Sequence, residues 1–362
     1  MADNELPATE HDDRGAGPAT REDAVVATSQ ATPREKGQDP ATSNTPATGT
    51  PSSGAGVKRP GDRVFEALST ISAALITVII IAVGLFLLIQ AFDPLRLNKE
   101  NFLTYGGQWQ TANLENMQFG IPNLFFTTIT VSLIALIIAM PVALGIAIFL
   151  SNYAPKQLVR PLGTLVDMLA AVPSIVYGLW GAQVLGPKLS GFYKWIHSWG
   201  GDFFLFKQYA NSPSFDTGRN MLTGGIVLAV MILPVIAATA REIFVQTPPG
   251  QIESALALGA TRWEVIRMTV LPFGLSGFIA GSMLGLGRAL GETMALYMVV
   301  SPGPEYRGSL FDGGSTFATA IANASAEFNN PTSAGAYIAA GLVLFLLTFI
   351  VNSIARAIVN KK

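Results

Sequence analysis

The sequence predicts an all-α, polytopic membrane protein with about six transmembrane helices. Half of the 362 residues are hydrophobic and only 13% are charged, and the mean hydropathy is +0.42, a composition typical of membrane proteins. The hydrophobic residues are also grouped into runs that can cross about 30 Å of hydrocarbon, which takes roughly 20 residues each. These runs are residues 64–92, 124–150, 162–185, 222–244, 273–300 and 334–358.

The first 57 residues differ from the rest of the chain. Residues 1–57 are rich in Ala, Thr, Pro, Gly and Ser, carry mixed charge and show no apolar periodicity. Such a segment cannot bury enough apolar surface to fold, so it is expected to be a disordered tail. It also lacks the apolar run behind a basic start that a signal peptide needs. The expected organisation is therefore a cytoplasmic tail at 1–57 and a transmembrane domain at 58–362.

The orientation of the spans follows from their connections. Lys and Arg are more frequent in the connections on the side that holds residues 246–271, and cytoplasmic loops carry an excess of these residues. Both termini and the 246–271 loop are therefore expected in the cytoplasm. Among the long outer connections, 186–221 is rich in aromatic residues, which suits either an interfacial belt in the lipid bilayer or a surface for a solute-binding protein.

Several kinds of chemistry are excluded or disfavoured. The chain has no Cys and only two His, which excludes disulfides and thiolates and argues against an imidazole metal site. A net charge of −1 without a basic stripe argues against nucleic acid as a partner. The sequence has no P-loop string, so it is not expected to bind ATP in that way. No catalytic residue, metal or cofactor is expected, and the energy for any transport must come from partner chains.

The 246–271 loop is predicted to form a helix, a turn and another helix. Thr247-Pro248-Pro249 ends the preceding helix, residues 251–267 have an amphipathic pattern, and Gly259 interrupts it near the middle. Such an element can press into a groove on a partner protein. The alternative is an ordinary loop helix that lies on the lipid.

Arg288 and Glu292 are two charges within the fifth apolar run. Their spacing of four residues would place them on one face of a helix, where they could pair. An Arg at the bilayer centre costs about 2.5 to 3.5 kcal/mol even on a lenient scale, so Arg288 should face a protein interior or a wet cavity. The alternative to a functional role is a structural ion pair between helices.

The loop and the fifth run together resemble a known family. The order Glu253-x-Ala255, then Gly259, then Leu271-Pro272 is similar to the loop motif of ABC importer permeases, whose coupling helix seats on the ATPase. Ser254 and Thr269 depart from that motif, which usually has Ala and an aliphatic residue at these places. Residues 172–179 and 285–294 resemble the phosphate-specific subfamily, in particular its C-type permease subunit. The residues that would form the ATPase-coupling loop are Glu253, Ser254, Ala255, Gly259, Ala260, Arg262, Leu271 and Pro272.

The resemblance implies a function and a set of partners. The chain would be a permease subunit in the bacterial plasma membrane, and it would move inorganic phosphate into the cytoplasm. Its partners would be a related A-type permease, two copies of a cytoplasmic ATP-binding subunit and an extracytoplasmic phosphate-binding protein. Two alternatives stay open, namely a permease for sulfate, molybdate or phosphonate, and an ion-gradient-driven transporter or channel.

Six side chains are the candidates for the substrate pathway. Arg288 could bind phosphate bidentately. Glu292 could hold Arg288 when no anion is present, or could accept a hydrogen bond from the proton that phosphate carries and sulfate lacks. Ser174 follows Pro173, and Thr127, Thr128 and Tyr177 also lie within apolar runs. Hydroxyl groups in membrane helices more often bond to their own or a neighbouring backbone, which is the competing explanation for these four.

Overall fold

The computed structural model describes residues 60–111, 113–201, 203–208, 213–303, 308–325, 328 and 330–360. The predicted tail at 1–57 lies outside these residues. The chain divides into two units, Met1–Arg63 and Val64–Lys362, and apart from the first residues of helix α1 every feature discussed below lies in the second. The described residues form helices and contain no strand, apart from one isolated bridge between Gln110 and Gln118. The all-α prediction is therefore confirmed.

Thirteen α-helices make up the described part of the chain. They are α1 Pro60–Leu97, α2 Pro122–Ile148, α3 Lys156–Ala170, α4 Ser174–Trp180, α5 Gly186–Gly200, α6 Pro213–Thr217, α7 Met221–Val245, α8 Pro249–Ala257, α9 Arg262–Val265, α10 Leu271–Leu290, α11 Met294–Val299, α12 Phe317–Ala324 and α13 Pro331–Asn360. Five helical segments are long and apolar enough to cross a membrane, or six if one bent pair of helices counts as one span.

The bent pair corrects the third predicted span. We expected one continuous helix over 162–185, but the chain breaks between α3 and α4, and the two helical segments Lys156–Ala170 and Ser174–Gly200 meet at 86°. Pro173 is the N-cap residue of α4. Because proline has no N–H and disfavours the helical conformation of the residue before it, it ends a helix at this point rather than merely kinking it.

The fifth predicted span, 273–300, also differs from the structure. The helical segment begins earlier, at Arg262, and ends at Leu290. Gly291 follows as the C-cap residue of α10, and α11 starts separately at Met294. Glycine weakens a helix interior by roughly 1 kcal/mol relative to Ala, which favours an end at this position.

The centre of the fold is α7, which packs between α2 and α10. The face of α2 that meets α7 repeats alanine every four residues. These fully buried alanines are Ala135, Ala139, Ala143 and Ala147. Small side chains let two membrane helices approach closely, and van der Waals packing then stabilises the pair.

Helix α7 also meets a glycine stripe on α10. A Cβ on Gly277 would lie 2.5 Å from Cγ1 of Ile243, and one on Gly285 would lie 2.8 Å from Cγ1 of Ile236. Gly281 makes a similar approach to Thr239. These three glycines therefore let α7 and α10 approach closely.

Two smaller apolar clusters lie in the outer connections. Tyr193 of α5, Phe215 of α6 and Phe311 form one of them. Met117 and Phe119 pack with Ala336 of α13 in the other. Tyr193 also hydrogen-bonds to the Thr223 hydroxyl at 2.7 Å, which ties α5 to the start of α7.

Candidate functional site

The predicted helix, turn and helix in the 246–271 loop is present as α8, a turn and α9. The Thr247 hydroxyl donates to the Phe244 carbonyl at 2.8 Å, which closes the end of α7. Pro248 is the N-cap of α8 and Pro249 is its first residue. Proline is favoured at that position because the first N–H of a helix has no intrahelical partner anyway.

Gly259 ends α8 in a way that glycine favours. Its φ is +84°, a left-handed conformation that costs other L-residues roughly 1 to 2 kcal/mol. The Gly259 N–H donates to the Leu256 carbonyl at 2.9 Å, and the Ala260 N–H donates to the Ala255 carbonyl at 3.2 Å. This pair of hydrogen bonds is a Schellman motif, which satisfies the last carbonyls of the helix.

A capping box begins α9. Thr261 and Glu264 form two reciprocal hydrogen bonds. The Glu264 N–H donates to the Thr261 hydroxyl oxygen, and the Thr261 N–H donates to a Glu264 carboxylate oxygen at 2.8 Å. The chain then continues through a π-helical turn, Ile266–Val270, into α10. Any displacement of α9 is therefore applied directly to the membrane helix that carries Arg288.

The α8–α9 element is anchored on one side and exposes large apolar side chains on the other. Ile252 packs against the central core, and Val265 is buried. Leu258 is 89% exposed, and Leu256 and Trp263 are also exposed. An apolar group so exposed at a helical turn suits insertion into a partner's pocket. Of the predicted coupling residues, Glu253, Ser254, Gly259, Arg262 and Pro272 are exposed, while Ala255, Ala260 and Leu271 are half-buried.

Arg288 lies in the last turn of α10 and is exposed in this chain. The Tyr177 hydroxyl of α4 lies within electrostatic range of its guanidinium, so the structure brings these two predicted site residues into one region. Among the described residues, the nearest atom to a Cβ on the adjacent Gly287 would be Oδ1 of Asn352, at 3.9 Å. Gly287 thus has open space around it, and Arg288 itself is exposed.

Glu292 lies beyond the end of α10 and is not paired with Arg288 in this structure. Its side chain is only 8% exposed, and Oε1 accepts a hydrogen bond from the Ala295 backbone N–H at 3.0 Å. No ion pair within 4.0 Å joins Glu292 to Arg288 in the described chain. A spacing of four residues brings two side chains to one face only within a continuous helix, and α10 ends at Leu290, before Glu292.

Tyr177 connects the two halves of the broken third span. Its hydroxyl donates to the Leu169 carbonyl, one residue from the end of α3, at 2.8 Å. Ser174 is the first residue of α4 and is half-buried. A Cβ on the neighbouring Gly178 would lie 2.9 Å from the Ala295 Cα, so the two half-helices that follow the breaks pack closely together.

Thr127 and Thr128 are both almost completely buried in α2. The Thr128 hydroxyl donates to the Leu124 carbonyl at 2.7 Å and accepts from the Phe317 N–H at 3.2 Å. Thr127 packs against Gly314. These two side chains thus contact the segment around α12. None of these contacts involves Arg288.

Sequence reasoning missed two features of the site. Asn352 of α13 lies next to Gly287, and a polar residue within the apolar run 334–358 is a signal that could have identified it. The capping box was also visible as Thr261-x-x-Glu264. The exposure of Leu258, by contrast, depends on the turn geometry and has no sequence signal of its own.

Comparison with known proteins places these features in a family. Residues 143–362 match the family model for the inner membrane component of binding-protein-dependent transport systems. The chain is 51% identical over 305 residues to the phosphate transport system permease protein PstC 2 of Mycobacterium tuberculosis, covering 84% of this chain and 93% of that protein. It is 49% identical to PstC of Mycobacterium leprae, over 84% of this chain and 95% of that protein.

A solved structure of the methionine ABC transporter MetNI, inward facing, is 17% identical to this chain, with a TM-score of 0.48 over 66% of this chain and 94% of that one. The family match and the two close relatives cover most of the chain, and the matched region contains α8, α9 and the break after Arg288. The chain therefore belongs to the family of inner membrane components of binding-protein-dependent transport systems and is a multi-pass protein of the bacterial plasma membrane.

Proposed function

We propose that this chain is a permease subunit through which an ATP-driven importer moves inorganic phosphate into the cytoplasm. The observation that carries this proposal is its high identity to relatives named phosphate transport system permease proteins. The arrangement of Arg288, Glu292 and the α8–α9 element supports it. The chain itself has no catalytic activity in this proposal, and a separate ATPase chain supplies the energy.

Arg288 is the proposed phosphate contact. Its planar guanidinium can hold two phosphate oxygens at once, and its place at the end of a broken membrane helix leaves it exposed rather than packed. Exposure of a charged side chain to lipid is costly, so this face of α10 is expected to line an aqueous pathway enclosed with a second permease. Tyr177 and Ser174 of α4 would contribute hydroxyl groups beside it, and Thr127 and Thr128 would support the pathway wall.

Glu292 has two proposed roles. One carboxylate oxygen caps α11, which fixes the backbone just beyond Arg288. The negative charge would also disfavour a fully ionised anion such as sulfate, whereas the hydroxyl that phosphate keeps can donate a hydrogen bond to a carboxylate.

The α8–α9 element is the proposed contact with the ATPase. The exposed Leu256, Leu258 and Trp263 would fill a groove on that subunit, and the continuous path from α9 into α10 would carry its motion towards Arg288. The other proposed partners are a related A-type permease, a second copy of the ATPase and an extracytoplasmic phosphate-binding protein.

A permease for another oxyanion is the second candidate, because a guanidinium binds sulfate, molybdate or phosphonate by the same geometry. An ion-gradient-driven transporter is disfavoured by the exposed apolar α8–α9 element, which such a protein would not need.

The test is uptake of labelled phosphate, with and without excess sulfate, in cells that lack this chain and then receive the wild type or Glu292→Gln. Gln keeps an oxygen that can cap Ala295 but removes the charge. We expect the wild type to restore uptake that sulfate does not inhibit, and Glu292→Gln to restore uptake that sulfate does inhibit. Sulfate inhibition of the wild type would overturn the phosphate assignment. Unchanged discrimination by an assembled Glu292→Gln protein would overturn the specificity role of Glu292 alone.

A further inference from the structure

Helix α3 has three distinct faces, and two of them are uncovered. One face packs on α7: Val166 contacts the central core, and Gly163 is buried under the guanidinium of Arg241. Arg241 is in the last turns of α7, just before the α8–α9 element. Helix α3 therefore lies at the same end of the helix bundle as that element.

The second face of α3 is an exposed apolar stripe. Leu165 is 55% exposed and Met168 is 67% exposed. The residues of this stripe are three or four positions apart, which brings them to one side of the helix. Its members are Leu158, Pro161, Leu165, Met168 and Leu169.

The third face is an exposed polar stripe beside the apolar one. Its residues are Lys156, Arg160, Thr164 and Asp167. Both basic residues lie in the first half of α3, and Asp167 near its end is the stripe's single acid. A helix with adjacent apolar and basic stripes has the side-chain arrangement of helices that lie in the plane of a membrane surface.

The angle of α3 fits that arrangement. It meets the helical segment Ser174–Gly200 at 86°. When that segment runs across the bilayer, α3 lies nearly parallel to the bilayer surface. The following segment also exposes apolar side chains close to the bend, among them Ile175, Val176 and Leu179.

We propose that α3 is an interfacial helix bound to the cytoplasmic surface of the bilayer, with Leu158, Leu165 and Met168 among the acyl chains and with Lys156 and Arg160 on the phosphates of anionic lipids. The partner is thus a lipid surface that carries negative headgroups. Long basic side chains can reach such headgroups while their methylene groups stay in the apolar layer. This proposal rests on the fold and is independent of the transported substrate.

The absence of cysteine from the chain makes a direct test possible. Single variants Leu165→Cys and Met168→Cys would carry a spin label on the apolar stripe, and Thr164→Cys would carry the matched label one residue away on the polar stripe. The full chain, in the complex isolated from membranes, would be reconstituted into vesicles of phosphatidylethanolamine and phosphatidylglycerol. Collisions of each label with oxygen, which enters lipid, and with a nickel chelate, which stays in water, would then be measured.

We expect the labels at 165 and 168 to collide mainly with oxygen and the label at 164 mainly with the chelate. Two results would overturn the proposal. Shielding of the labels at 165 and 168 from both reagents would mean that a protein partner covers the stripe, and chelate access equal to that at 164 would mean that the stripe faces water.

The headgroup contact has its own measurement. The label at 165 would be compared with and without the additional changes Lys156→Gln and Arg160→Gln, in vesicles with phosphatidylglycerol and in vesicles of phosphatidylcholine alone. We expect these changes to lower the preference for oxygen in the anionic vesicles and to leave it unaltered in the neutral ones. An equal effect in both lipids, or none in either, would contradict a contact with anionic headgroups.

Discussion

The Glu292 carboxylate accepts a hydrogen bond from the backbone N–H of Ala295 at 3.0 Å. This bond supports the start of α11 immediately after the break that ends α10. Ala295 in turn lies against Gly178 of α4. A buried carboxylate therefore stabilises the place where the two broken spans meet, and Arg288 lies one turn away from it.

The first prediction concerns the capping role of Glu292. Glu292→Ala should lower the free energy of unfolding by about 1 to 3 kcal/mol, because it leaves the buried Ala295 N–H without an acceptor. Glu292→Gln should unfold close to the wild type, since its amide oxygen can accept the same bond. Thermal unfolding of the three purified proteins in one detergent measures this, and equal loss in both variants would show that charge, rather than capping, stabilises the break.

The second prediction concerns the α7–α10 contact. Gly277→Ala should lower the free energy of unfolding by about 1 to 3 kcal/mol, because the new Cβ would lie 2.5 Å from Cγ1 of Ile243. The control is Gly287→Ala on the same helix, where the nearest described atom is 3.9 Å away. It should leave stability unchanged or raise it, since Ala favours helices over Gly. Similar unfolding temperatures for the two variants would contradict the close packing.

The third prediction concerns Leu258, which is 89% exposed. Leu258→Asp should weaken ATPase binding by about 2 kcal/mol or more, as expected when a charge replaces a central apolar contact, with little effect on folding. Copurification of the ATPase with a tagged chain measures the binding. The control is Leu103→Asp, an exposed leucine in the connection between α1 and α2. Retention of the ATPase by Leu258→Asp would contradict the docking role of the turn.

Much of the fold was predictable because apolar runs in a membrane protein must be helices. The glycine stripe and the helix, turn and helix at 246–271 also follow from local sequence. The two breaks were not predicted, because hydropathy continues across Pro173 and Gly291, and a proline or glycine within an apolar run can either be accommodated in a membrane helix or end it.

The candidate site was less predictable for the same reason. The spacing of Arg288 and Glu292 implied one helix face, and the helix end at Leu290 removed that condition. The hydrogen bond of Glu292 depends on the start of α11, which the sequence did not indicate.

The most direct measurement of the central claim is labelled phosphate uptake by cells that lack this chain and receive wild type, Arg288→Gln or Arg288→Lys, at matched membrane levels and with ATPase copurification checked. Losing a charged hydrogen-bond donor costs about 1.5 to 3 kcal/mol, so Arg288→Gln should slow uptake by roughly 10- to 100-fold. Arg288→Lys should restore only part of the rate, because Lys cannot bind two oxygens with a planar fork. Uptake at the wild-type rate by an assembled Arg288→Gln protein would contradict the proposed phosphate contact.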